Sequence, residues 1–111
     1  MKITLDKEYT AESQVPAIKE KMEIFKEKFT DNDLLRMFNE ATDTDINGRV
    51  VECTVEAYAS NAINDDASFF VEIIVYCVAA FHVIRFFMDD NTGVHTVTAK
   101  DYLISHEIFH L

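Results

Sequence analysis

FFVEIIVYCVAAFHVIRFFM, residues 69–88, decides the architecture of this chain. Its twenty residues hold only Glu72, His82 and Arg85 as ionisable groups. A bilayer-spanning helix also needs about twenty apolar residues. Here, however, charges fall inside the run, Asp65-Asp66 and Asp89-Asp90 flank it, and positive anchors are missing, so no membrane insertion is expected. Phe69, Val71, Ile73, Val75, Cys77, Ala79, Phe81 and Val83 fall on one phase of a two-residue period. Glu72, Tyr76, His82 and Ile84 occupy the other. β-Branched and aromatic side chains favour a strand over a helix, and the length of the run predicts a bulge or break near Ala79-Ala80.

Toward the C-terminus, Asp89-Asp90-Asn91-Thr92-Gly93 reads as a hairpin turn and Val94 to Thr98 as the return strand. Residues 100–111 read either as an extension of that strand or as a short closing helix. Toward the N-terminus, Asn61 to Asp66 is a polar break. Before it, Val51, Cys53, Val55, Ala57 and Ala59 alternate with Glu52, Thr54, Glu56 and Tyr58, the pattern of a half-exposed strand.

Ahead of Gly48 the period is helical. Val15, Ile18, Met22, Phe25 and Phe29 share one face and Lys19, Glu20, Glu23, Lys26 and Glu27 fill the other, with Ser13 as the expected cap and Pro16 in the first turn. Thr30-Asp31-Asn32-Asp33 offers a second start of capping-box type, leading into Leu34, Leu35, Met37, Phe38 and Ala41. Asp43 to Gly48 ends that helix in a turn. The expected fold class is α+β: an N-terminal helical hairpin packed on an antiparallel sheet of three to four strands, in a single domain over residues 1–111.

Charge is divided unevenly. Residues 50–111 carry nine acids against only Arg85 and Lys100, which makes −7 of the net −10. Such a surface repels phosphate and anionic lipid and attracts basic partners over roughly 8–10 Å at physiological salt. Cys53 and Cys77 lie in apolar runs and are expected as buried free thiols, inert as nucleophiles, in a reducing compartment. The first residues lack the apolar stretch of a secretory signal, so a cytoplasmic location is expected.

Two half-motifs stand out. His106-Glu107-Ile108-Phe109-His110 resembles the HExxH signature of zinc metallopeptidases, in which two histidines one helical turn apart hold the metal. Only His82, His95 or an upstream carboxylate is left to complete such a site. Asp43-x-Asp45-x-Asn47-Gly48 resembles the first half of an EF-hand loop, but Thr54 stands where the bidentate Glu belongs, and a degenerate EF-hand would turn the valine-rich runs into helices. Neither is complete, and no metal site or cofactor is expected. Glu72 and His82, read on one phase, form a candidate acid/base pair set against the plainer reading of an exposed Glu and a hydrogen-bonded His.

The leading expectation is a small, non-enzymatic inhibitor or immunity-type protein that neutralises a basic nuclease, toxin or other nucleic-acid-directed enzyme by covering its substrate-binding surface. Glu52, Glu56, Asp65, Asp66, Asp89 and Asp90 are the expected partner-binding residues. Neither nucleic acid nor membrane is an expected partner, and apolar residues on both strand phases raise self-association as a homodimer. The alternative is a small-ligand binder or enzyme: Phe86-Phe87-Met88-Asp89-Asp90 turning into Val94-His95-Thr96-Val97 is similar to the last hairpin of nuclear-transport-factor-2-like proteins. That resemblance implies helices closing over a curved sheet and a cavity reached by Tyr58, Glu72, Tyr76 and His82. A calcium-binding, light-chain-like protein is the third reading.

Overall fold

The short strand β1 (Ile3–Leu5) opens the chain and joins β2 (Val50–Ala59) in parallel, Ile3 opposite Val55. The fold is known from a computed structural model that describes residues 2–59, 69–88 and 99–111. After a 3-10 turn at Glu12–Gln14 come α1 (Val15–Lys28) and α2 (Asp31–Thr42). Strands β2, β3 (Phe69–Cys77), β4 (Ala80–Phe87) and β5 (Leu103–His110) then form a meander. The sheet has the order β1-β2-β3-β4-β5, antiparallel except for the β1–β2 pair. No described helix is long and apolar enough to cross a membrane.

The helical hairpin forms where its local signals lie. Thr30 accepts a hydrogen bond from the Asp33 N–H (3.3 Å) while its own N–H donates to the Asp33 carboxylate (2.7 Å), closing the capping box. Ser13 does not cap α1: it lies in the preceding 3-10 turn, Gln14 holds the cap position without a side-chain bond, and Pro16 sits in the first turn. α2 stops at Asp43, whose φ of 53° is left-handed, and Asn39 then organises the exit. Its side-chain oxygen accepts from the Ile46 N–H at 2.8 Å and its amide donates to Asn47 at 3.3 Å. Gly48, at φ 82°, completes the turn into β2.

The sheet departs from expectation in two ways. It has five strands rather than three to four, and it is mixed rather than purely antiparallel. Ile3–Leu5 is too short to display a period, and the break expected near Ala79-Ala80 is a two-residue turn at Val78–Ala79 that divides the 69–88 run into two strands. The tail is strand rather than a closing helix: a 3-10 turn at Ala99–Tyr102 leads into β5. The expected turn at Asp89 to Gly93 and strand at Val94 to Thr98 lie outside the described residues.

The Val78–Ala79 turn inverts the side-chain phase. In β3 the odd-numbered Phe69, Val71, Ile73 and Val75 face the helices, whereas in β4 the even-numbered Ile84 and Phe86 do so, opposite Ile73 and Val71. A two-residue hairpin pairs the residues on either side of the turn and sets them on one face, so parity must change across it. The core between helices and sheet is filled by Ile18, Phe25 and Phe29 of α1, Leu34, Met37 and Phe38 of α2, and the inward residues of β2 to β4. Phe25 stacks on Phe29 at 4.3 Å and meets Phe69 edge-on at 6.2 Å. Each fully buried side chain of this kind contributes about 1.5–3 kcal/mol.

Candidate functional site

The helices cover one face of the sheet, and the other carries its own ordered surface. Across β2, β3, β4 and β5 the register sets side chains in rows. Tyr58, Phe70 and Phe87 form one aromatic row, with Tyr58 and Phe70 stacked at 5.2 Å and Phe87 edge-on to Phe70. Glu56, Glu72, Arg85 and Ser105 form the next. Thr54, Ile74, Val83 and Glu107 follow, and then Glu52, Tyr76, Phe81 and Phe109, with Phe81 and Phe109 stacked at 4.9 Å. Val83 is buried by its neighbours on this face yet is not part of the core under the helices.

The N-terminal segment borders the first row. The Asp6 N–H donates to the Ala57 carbonyl at 2.8 Å, and buried Thr10 donates to the Asp6 carbonyl at 2.7 Å while accepting from the Ala59 N–H at 3.3 Å. This tether sets Tyr9 beside Tyr58, ring centres 6.3 Å apart, and brings Asp6 and Glu8 near Glu56. Partial burial, then Asp6, Glu72 and Glu8, push the Glu56 carboxyl above its ordinary value. Burial also raises Tyr58, an effect that Arg85 opposes.

Arg85 is the one cation in these rows. Its Nε lies 3.4 Å from Glu72 Oε2 and its Nη1 reaches both Glu107 (3.5 Å) and Ser105 (3.4 Å). Burial alone would lower its pKa, but Glu72, joined by Tyr58 and Glu107, outweighs that and the guanidinium is held more firmly protonated. A notch of about 170 Å³ lies between Tyr9, Tyr58, Glu72 and Arg85.

Of the expected partner-binding residues, Glu52 and Glu56 lie on this face; Asp65, Asp66, Asp89 and Asp90 lie outside the described residues. Glu72 and Glu107, absent from that expectation, join them here. Glu72 and His82 do not pair: the phase inversion leaves Glu72 on the open face, opposite Arg85, and turns His82 toward the helices. There His82 Nδ1 lies 3.0 Å from His106 Nε2, and the Phe38 ring meets both histidines edge-on.

The same geometry divides the HExxH residues. His106 to His110 is strand, not helix, so His106 faces inward while Glu107 pairs with Arg85 on the open face. Nor is the Asp43–Gly48 turn followed by the helix of an EF-hand, since β2 begins at Val50. Asp43 pairs with Lys100 and Asp45 accepts from the Asn47 N–H. Among the described residues no group of three or more metal-ligating side chains converges. Cys53 and Cys77 are free but half-buried rather than buried, and burial, aided by Asp31, pushes the Cys53 thiol up to about 11, far from a reactive thiolate.

The cavity implied by the nuclear-transport-factor-2-like resemblance would need Tyr58, Glu72, Tyr76 and His82 together, yet the first three face outward and His82 inward. No known protein family, no curated protein and no solved structure matches the chain.

Proposed function

We propose that the protein acts by binding a basic protein through the open face of its sheet. The observation that carries this reading is the interleaving of Glu52, Glu56, Glu72 and Glu107 with Tyr58, Phe70, Tyr76, Phe81, Phe87 and Phe109 on one surface that none of the described helices covers. Carboxylates set beside aromatic faces suit arginine and lysine, which stack on the rings while their charge is met at the rim. Aromatic side chains also supply the rigid anchors that dominate binding energy.

Four strands about 4.8 Å apart and eight residues long at about 3.3 Å each give a face of roughly 500 Å². That is within a factor of two of the ~800 Å² a stable interface takes from each partner, before Asp6 to Tyr9 are added. A second copy of the chain would bring Glu56 and Glu72 against their own kind. The face therefore favours a basic partner over self-association.

Surfaces rich in Lys and Arg are found where enzymes hold nucleic acid, so the natural partner is a nuclease, toxin or other nucleic-acid-directed enzyme, neutralised by occlusion in a reducing compartment such as the cytoplasm. Affinity capture from the native source with the wild-type chain and with Glu56→Lys/Tyr58→Ala tests this. The expected result is one dominant basic protein, retained by the wild type and lost by the variant, whose activity on nucleic acid falls when the chain is added. A dominant acidic partner, or equal capture by both chains, would overturn it.

A further inference from the structure

On the helix side of the sheet, the connection from α2 to β2 and the β3–β4 turn border an open cleft of about 520 Å³. That volume is of the size that takes a small organic molecule. Its walls are mainly apolar, formed by Ile46, Val50, Val51, Val78 and Ala80. β2 opens here in a bulge, since Val50 pairs with Cys77 and Glu52 with Tyr76, and Val51 is left 69% exposed.

The polar groups of the cleft carry one sign. Among the described residues no Asp or Glu lines it, whereas Arg49 and His82 both do. Arg49 donates to the Asp45 carbonyl, and among the described residues no carboxylate pairs with it. By contrast Arg36 is paired with Glu40, Arg85 with Glu72 and Lys100 with Asp43. His82 has its Nδ1 engaged by His106, which leaves Nε2 for a ligand. The Thr44 hydroxyl donates to the Thr42 carbonyl and is spent.

We infer that this cleft binds a small monocarboxylate with an apolar body, the carboxylate held between the Arg49 guanidinium and His82 Nε2–H and the body lying on Val50, Val51 and Val78. Arg49 presents the fork that matches a carboxylate, and in the tautomer where His106 Nε2–H donates to His82 Nδ1 the His82 hydrogen lies on Nε2 and adds a second donor. The site lies on the opposite side of the sheet from the acidic face and does not depend on it.

The probe is 4-phenylbutyrate, titrated into isotopically labelled protein and followed by amide, methyl and histidine-ring shifts, with 4-phenylbutanol and 4-phenylbutylamine as neutral and charge-reversed comparators. Saturable shifts confined to Val50, Val51, Val78, Ala80 and the His82 ring are expected, with a dissociation constant of about 1 mM or tighter. The comparators should bind at least about tenfold more weakly, and Arg49→Gln should weaken the acid by about tenfold while leaving the spectrum otherwise native. Absence of saturation by about 10 mM probe, equal binding of the alcohol or amine, or an unchanged affinity in Arg49→Gln would each overturn the assignment.

Discussion

Glu72 and Arg85 stand directly opposite each other on β3 and β4, with Arg85 Nε 3.4 Å from Glu72 Oε2, and so the one cation in the described rows of β2 to β5 is spent within the open face. Glu107 holds the same guanidinium from β5. Glu52 and Glu56 have no such cation beside them in their rows, and Glu56 faces Asp6, Glu8 and Glu72 instead. The face thus combines local neutralisation at its centre with uncompensated charge at its β2 side.

Replacing Arg85 by Gln separates these two effects. The Glu72 and Arg85 side chains are 18% and 33% exposed, so the pair is partly screened and its loss should cost about 1 kcal/mol or less. Binding of a basic partner should strengthen and its association quicken, because Glu72 and Glu107 are released. Thermal unfolding and stopped-flow association read the two effects; weaker binding in Arg85→Gln would show that Arg85 itself contacts the partner.

Stability should fall as the pH drops below about 7. Burial lowers the affinity of both His82 and His106 for a proton relative to the ordinary value of 6.5, and His106, Arg49 and His110 add to this for His82. Well above 6.5 both rings are neutral whether folded or not. Below it the unfolded chain takes up protons that the folded chain resists, so folding loses free energy as pH falls toward the folded-state values. His106→Gln should flatten the Tm profile between about pH 7 and 5. Ring titrations at or above the ordinary value would contradict the sign.

The capping box is separable from tertiary packing. Thr30→Ala removes the acceptor of the Asp33 N–H and should cost about 1 kcal/mol, lowering Tm by roughly 4 °C with no change in the open face. An unchanged Tm would mean that water satisfies the helix start equally well.

Phe38 is wholly buried and meets His82 at 5.1 Å and His106 at 5.7 Å, each nearly perpendicular. Phe38→Ala should therefore destabilise by about 3–5 kcal/mol in denaturant unfolding and shift both histidine ring resonances. A loss below about 1 kcal/mol would place the ring outside the cooperative core.

The helical hairpin is legible in the sequence because its signals are local: the period of Ile18, Met22 and Phe25, and Thr30 placed three residues before Asp33. β2 is legible for the same reason, through its alternation. What the sequence hides is non-local. Ile3–Leu5 joins the sheet only by pairing with Val55, Glu56 and Ala57 of β2, and nothing within three residues announces such a partner. The length of the 69–88 run announces a break near Ala79-Ala80, but not that the break inverts the phase, since a continuous alternation places Glu72 and His82 together where the hairpin sets them apart. The open face is accordingly half visible: Glu52 and Glu56 follow from β2 alone, while Glu72, Arg85 and Glu107 become neighbours only through the register of three strands.

The most direct test of the acidic face is the salt dependence of association with the captured basic protein, for the wild type and for Glu56→Gln/Glu72→Gln. Between about 0.15 M and 0.5 M NaCl the screening length shortens from about 8 Å to about 4 Å. The account predicts a wild-type association rate that falls by about tenfold or more over that range, and a variant that is already slow at low salt and changes little. A wild-type rate indifferent to salt, or a variant that associates as fast as the wild type, would contradict it.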